Sequence, residues 1–544
     1  MKLPHCLGWA VGNARNCRGM ECTFLAPRAS NLTERRTTMT HTLLNKFFGK
    51  LRVQILFVAL FVGIFGATST FAVVDYDTIK GTISDPGKPW NNTPWAVVRP
   101  TTGWNGTIIL DLDGSSVGNV TEFSKFSGTI QWLLDHGYAY GGTNRGLVAY
   151  NFPQAVENLV TVRSNFISHY NATPWRTIAW GSSRGGFVGR LCIELRPDIF
   201  DAAIVMAGGG AGEISTLNRF LDAGFVLKTL VDPTSSLKIV GVPNNKAATD
   251  TETAAQTALV KKADETLSGQ ARLALAAAMA QFSAWTVSGS PEPAPTDYDA
   301  QYAQLVAPLF PPSPPPAPEP PINFVFANPI VVRAPIEELS HGIVSWNHGV
   351  DYTSMLARSG RADFVKAMYA KAGISLQEDL KTLKNAPRIA ADPNAVAVAE
   401  KLMSYTGEIF GPVMNVDNIG DPVDPSPAKI AYRHTLNRAG NEKLFRLAWI
   451  RRAGHGGQTD LERVTAFVTL INRLDTGKWG DTSATGMNAL AQQIASDYVF
   501  SNEIPLFIEY NGVRQALRPW DVSDWDTYVP CSGYQPGKAF NSCK

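Results

Sequence analysis

The chain has 544 residues, 44% hydrophobic and 18% charged, a balance that supports a large buried core and excludes a mainly disordered protein. With 46 Gly and 35 Pro it is neither collagen-like nor a low-complexity array. The formal charge of +2 is uneven: residues 1–72 carry nine Lys/Arg and two Asp/Glu, leaving 40 basic against 45 acidic groups beyond, so no nucleic-acid partner is expected.

After Met39 come Lys46, Lys50 and Arg52, then the apolar run Val53 to Phe65, then the small-residue stretch Ala67 to Ala72. Basic flank, short hydrophobic stretch and small-residue end predict a secretory signal peptide cleaved near Ala72. The run falls short of the roughly 20 residues that span a bilayer. Residues 1–72 therefore read as leader and signal, and the mature protein as secreted or periplasmic, with no stable membrane association after cleavage. An uncleaved N-terminal anchor is the alternative. Cysteine usage agrees with export: Cys6, Cys17 and Cys22 fall in the leader, and a bridge between Cys531 and Cys543 would tie down the C-terminus. Cys192, on an apolar helix face, reads as a buried inert thiol.

Continuous apolar and β-branched runs predict strands buried on both faces at Ala96 to Pro100 and Thr107 to Leu112, with a shorter one at Tyr138 to Gly142. Pro153 to Tyr170 predicts a helix, opened by proline and carrying Val156, Leu159, Val160, Phe166 and Ile167 at near-helical spacing. A strand Arg176 to Trp180, a helix Arg184 to Leu195 and a strand Ala202 to Ala207 follow. Strands alternating with helices imply a mostly parallel sheet, hence an α/β fold whose first part covers 73–210.

After Gly208-Gly209-Gly210 the rhythm changes. Residues 211–408 read as a mainly helical cap inserted into the sheet, with helices at Ser268 to Phe282, Arg361 to Ala372 and Asn394 to Tyr405, and an extended proline-rich connector at 311–321. Strands at Pro412 to Val416 and Leu444 to Ile450 and a helix at Leu461 to Leu474 place the second part of the sheet at 409–480. In the C-terminal extension, 481–544, the turn Asn511-Gly512 predicts a hairpin of Leu506 to Tyr510 with Val513 to Leu517.

Between the strand ending at Trp180 and the helix from Arg184 lies Gly181-Ser182-Ser183-Arg184-Gly185-Gly186. A serine on a sharp strand-to-helix turn needs small residues two before and two after it, because the backbone is strained and its neighbours pack at touching distance. Gly181 and Gly185 meet this around Ser183; Ser182 has no glycines at those offsets. A serine hydroxyl is a poor nucleophile without a base, and the base needs an acid to hold its tautomer. Asp417 and Asp421 follow the strand at 412–416, with Asp421 favoured by its Gly420-Asp421-Pro422-Val423 turn, and His455 follows the next strand in Ala453-Gly454-His455-Gly456-Gly457. The order Ser, Asp, His is that of the α/β-hydrolases.

On these residues the chain resembles the α/β-hydrolase superfamily, and in particular secreted serine esterases, over about 95–210 and 409–480. The resemblance implies Ser183 as nucleophile, Asp421 as acid and His455 as general base, acting on a small-molecule or oligomeric carboxylic ester through an acyl-enzyme, with no metal and no cofactor. It implies an oxyanion hole of the Arg184 amide with that of Gly114 or Ser115, in the turn where the family places a His-Gly pair and this chain has Asp113-Gly114. Gly454 to Thr459 is also similar to the tannase and feruloyl esterase branch, whose cysteines beside serine and histidine are here Ser182 and Gly456.

Trp346 and His348, in the cap, are candidate substrate-binding residues, and the cap's aromatic residues suggest an apolar or aromatic substrate. Arg184 is placed to meet a substrate carboxylate or an acidic neighbour. Asp424 and Asp460 read as helix-capping or solvated carboxylates. His341 and His348 lack the further ligands of a metal site. A peptidase of the same fold, or a binding protein on a hydrolase scaffold, are the rival classes. No motif specifies an oligomer.

Overall fold

The computed structural model describes residues 75–308, 329–498, 500, 503–511 and 513–518. The signal-like segment, the proline-rich connector at 311–321 and both Cys531 and Cys543 lie outside the described residues.

Nine strands form one sheet: β1 (Tyr76–Ile83), β2 (Thr93–Pro100), β3 (Thr107–Asp111), β4 (Ala139–Thr143), β5 (Arg176–Ser182), β6 (Ala202–Met206), β7 (Val413–Gly420), β8 (Phe445–Ala453) and β9 (Phe507–Ile508). Their spatial order is β1-β2-β4-β3-β5-β6-β7-β8-β9. From β4 across to β8 every pairing is parallel, while β2 runs antiparallel to both β1 and β4, and β9 antiparallel to β8. The α/β sheet expected from the alternating pattern is therefore present.

Every residue of β3, β6 and β7 is buried because helices cover both faces, which explains the apolar runs of β3 and β6; β7 is buried although it carries Asn415, Asp417 and Asn418. Side chains alternate between those faces. Ile108, Leu110 and Val205 pack with Val156, Phe166 and Val188 of the helices Phe152–Tyr170 and Arg184–Leu195. Ile109, Ile178 and Ile204 point the other way, into a core with Trp132, Leu133, Val464 and Phe467.

Between β6 and β7 the described residues form nine helices. Leu217, Leu221, Leu273, Ile336, Met368 and Val396 from these helices belong to the same apolar cluster as Ile108 and Val205. The inserted helices thus share one core with the sheet.

The C-terminal hairpin does not form among the described residues. Phe507–Ile508 adds to the sheet edge at β8, but residues 513–517 are not a strand. Their backbone finds other partners: the Leu517 N–H donates to Gln281 Oε1 at 2.8 Å, and Gln281 Nε2 donates to the Gln515 carbonyl at 2.8 Å. Beside them Arg518 donates to the buried Asp222 at 2.6 Å, fixing this stretch on the helix Gly212–Val231.

Candidate active site

Ser183 sits between the end of β5 and the first residue of the helix Arg184–Leu195, with φ 56° and ψ −123°. A non-glycine residue in this region costs of order 1–3 kcal/mol, so the surroundings must hold it. The Ser183 N–H donates to the Met206 carbonyl on β6 at 2.9 Å, and the Ser183 carbonyl accepts from Gly186 at 2.8 Å. A Cβ on Gly181 would lie 2.1 Å from the Gly185 carbonyl oxygen, so position 181 admits only glycine. A Cβ on Gly186 would stand 3.0 Å from the Gly208 Cα. At Gly185, by contrast, the nearest atom to an added Cβ is Asp111 Oδ1 at an ordinary 3.5 Å. On the helix side the position that leaves no ordinary room for a Cβ is therefore Gly186 rather than Gly185.

The fold carries the three expected side chains to one place. The Ser183 hydroxyl lies 2.8 Å from His455 Nε2, and His455 Nδ1 lies 3.0 Å from each carboxylate oxygen of Asp421. Asp421 leaves β7 and His455 leaves β8, both at strand carboxyl ends. The loop bearing His455 bends through Gly454, Gly456 and Gly457, all with positive φ. From β7 the Asn418 amide donates to the carbonyls of Gly454 (3.0 Å) and Gly456 (2.5 Å), gripping the backbone on both sides of the imidazole. Just beyond, Thr459 and Glu462 form a capping box that starts the helix Asp460–Thr476.

Asp421 rather than Asp417 meets the histidine. Its Oδ1 also accepts the N–H groups of Val423 (2.8 Å) and Asp424 (3.0 Å). Asp417 turns to Lys429, whose ammonium is 3.2 Å away; both are fully buried. Lys429 is in turn 3.7 Å from Asp421 Oδ2 and donates to the Gly208 carbonyl at 3.2 Å. Burial alone pushes the Asp421 carboxyl upward, but His455 and Lys429 together hold it below its ordinary value. For His455 burial disfavours the imidazolium, and the charge and hydrogen bond of Asp421 outweigh it, so its pKa stands above 6.5. The pair can therefore take a proton from Ser183 and keep the resulting imidazolium.

A cavity of about 180 Å³ opens beside Ser183. Its apolar wall includes Phe187, Phe220, Val331, Val332 and Val423, and its charged residues are Arg145, Arg184, Glu213 and Asp424. Asp424, expected as a cap or solvated, is buried at this wall. Asp460 caps a different helix from its own, accepting from the Gly128 N–H (3.0 Å) and the Thr129 hydroxyl (2.5 Å). Arg145 forks onto Asp113, with Nε 2.7 Å from Oδ1, and also donates to the Ser182 carbonyl at 3.3 Å, tying the turn after β3 to the serine turn.

Two sequence expectations about the pocket need correction. Trp346 and His348 do not line the cavity. Trp346 is core: it is buried, its N–H donates to Asn218 at 2.9 Å, and its carbonyl accepts from Arg518 at 2.5 Å. His348 lies on the same loop, where its N–H donates to the Ile389 carbonyl at 3.3 Å. Gly114 is pressed on β4, where a Cβ would be 2.2 Å from the Gly141 carbonyl oxygen, and neither it nor Ser115 is among the residues lining the cavity. Arg184 does line it, and as the first residue of its helix its N–H has no acceptor within the helix.

No family model matches the chain. An o-phthalyl amidase from Xanthobacter agilis is 28% identical over 422 residues, which are 73% of this chain and 88% of that protein. Among solved structures, feruloyl esterase B from Aspergillus oryzae matches at 14% identity, over 75% of this chain and 81% of that one, with a TM-score of 0.33. An acylaminoacyl peptidase of Pyrococcus horikoshii matches at 10% identity over 77% of this chain, with a TM-score of 0.35; the chain spans only 44% of its length. Likenesses this distant add nothing to the sheet and the serine turn themselves. A mostly parallel sheet with its serine turn after β5, and Asp and His after β7 and β8 in that chain order, gives the chain the α/β-hydrolase fold.

Proposed function

We propose that the protein is a serine acyl hydrolase in which Ser183 is the nucleophile, His455 the general base and Asp421 the acid that orients it. The observation that carries this reading is the 2.8 Å contact between the Ser183 hydroxyl and His455 Nε2, backed by Asp421 at 3.0 Å. His455 takes the hydroxyl proton as the Ser183 oxygen bonds to the acyl carbon. It returns that proton to the leaving alcohol or amine as the scissile bond breaks, and water then repeats the sequence on the acyl-enzyme. The Arg184 amide, at the N-terminus of its helix, is one donor for the oxyanion.

The bond cleaved is a carboxylic ester or a carboxamide. The sequence motifs favour the ester; the amidase relative favours the amide, and the two differ only in the leaving group that His455 must protonate. A cavity of about 180 Å³ with apolar walls suits a single-ring acyl group, since a cavity of about 150 Å³ accepts benzene. The test is turnover of phenyl benzoate and benzanilide by the purified protein and by S183A. Hydrolysis of at least one substrate by the wild type, lost in S183A, supports the reading; hydrolysis undiminished in S183A overturns it. Export belongs to the same reading and rests on residues 39–72, so the exported protein should begin close to Val73.

A further inference from the structure

We propose that a second cavity, walled by Arg361 and Arg514 and separate from the one beside Ser183, binds the oxyanion of a small molecule, a phosphate or carboxylate group held by the two guanidiniums.

This cavity measures about 330 Å³, and none of Ser183, Asp421 and His455 is among its lining residues. The C-terminal stretch supplies one wall. The Leu517 N–H and the Gln515 carbonyl each bond the Gln281 side chain at 2.8 Å, which lays residues 513–518 along the inserted helices. Arg514 is thereby carried onto Gly360, where an added Cβ would lie 3.0 Å from Arg514 Cγ and 3.2 Å from its Nε. Glycine at position 360, with φ 76°, thus lets the Arg514 side chain rest on the backbone beside Arg361.

The charges around the cavity do not balance. Glu292 is the one carboxylate in its lining, and Arg451 holds it at 3.0 Å. Arg514 is exposed and has no ion pair or hydrogen bond through its side chain among the described residues. Arg361 has only neutral partners: its Nη1 donates to Gln301 Oε1 at 2.6 Å, and its guanidinium stacks over the Phe364 ring at 4.3 Å. The Arg361 Nε is buried and meets no acceptor among the described residues. Burial pushes this guanidinium down to about 10, opposed only by Tyr298 and by no carboxylate, so it is charged at neutral pH. A buried charge is ordinarily paired, because leaving it without a counter-charge costs several kcal/mol of desolvation. An oxyanion in the cavity would supply the missing acceptor, since the planar fork of arginine matches carboxylate and phosphate oxygens. Tyr510 lines the same space, and burial raises its pKa, so its hydroxyl stays protonated and able to donate.

The test is thermal unfolding of the purified protein with inorganic phosphate and with succinate as probes, at fixed ionic strength so that general screening is constant. The wild type should show a saturable rise in Tm, and the probe that binds more tightly names the group. R361Q and R514Q should each weaken the apparent affinity about tenfold or more, with a smaller loss in R514K, which keeps the charge without the fork. R514Q alters an exposed side chain and keeps the test open should R361Q fail to fold. S183A and R184Q should bind like the wild type, because the cavity beside Ser183 is not involved. No saturable rise with either probe, an affinity in R514Q equal to that of the wild type, or an affinity lost in R184Q would each overturn the proposal.

Discussion

The buried ammonium of Lys429 lies 3.7 Å from Oδ2 of the Asp421 carboxylate, which also meets His455 Nδ1 at 3.0 Å. With Asp417 at 3.2 Å it sits between two acids, so a single cation serves both the structural carboxylate and the one that orients the histidine. Lys429 disfavours the imidazolium of His455 as well as favouring ionised Asp421.

Removing that cation should therefore move the acidic limb of the kcat/KM profile upward. His455 must be neutral to accept the Ser183 proton, and Asp421 holds its pKa above the ordinary imidazole value, so activity rises with pH through that raised pKa. In K429M the limb should lie at higher pH than in the wild type. K429M alone strands two buried carboxylates and should cost about 3–5 kcal/mol of stability; D417N/K429M removes both charges of the closer pair and should regain much of it while keeping the shifted limb. A limb unmoved in the folded double variant would contradict this role.

The histidine loop depends on Asn418. Loss of its two hydrogen bonds to Gly454 and Gly456 in N418A frees the loop that aims the imidazole. Because misplacement by about 1 Å can cost about a hundredfold, kcat should fall by roughly ten- to a hundredfold while KM changes little. A kcat for folded N418A equal to that of the wild type would refute it.

The glycines of the serine turn are not equivalent. G181A sets a methyl 2.1 Å from the Gly185 carbonyl and should fail to fold or lose several kcal/mol, whereas G185A meets only ordinary contacts and should change stability by about 1 kcal/mol or less. Urea denaturation of the two variants distinguishes them, and a G181A protein as stable as G185A would rule out the strained turn.

Asp460 fastens the helix Gly128–Asp135 to the helix that follows His455. D460A should lower stability by about 1–2 kcal/mol through the lost bonds to Gly128 and Thr129, with kcat little altered. Calorimetry reads the first effect and steady-state kinetics the second.

Much of this arrangement is legible along the chain. β3, β5 and β6 announce themselves because strands covered on both faces have no polar face to interrupt the apolar run. Edge strand β1 does not: only Ile79 and Ile83 are buried in it, and its exposed Lys80 and Gly81 break any pattern. Ser183, Asp421 and His455 stand out because each lies in a tight turn just past a strand. Lys429 and Arg145 escape notice, since their roles arise from partners that only the folded chain brings near. A signal for Asn418 did exist: Asn415, Asp417 and Asn418 are polar residues inside a strand buried at every position, and buried polar groups require partners. Trp346 misleads for the opposite reason, because an aromatic side chain serves a core as readily as a pocket.

The most direct measurement is intact-mass and peptide mass spectrometry of the protein after reaction with a fluorophosphonate, for the wild type, S183A and H455A. One adduct on the peptide carrying Ser183, absent in S183A and formed far more slowly in H455A, is the expected result. Labelling at another residue with Ser183 untouched, while the protein still hydrolyses its substrate, would contradict the assignment of Ser183 as the nucleophile.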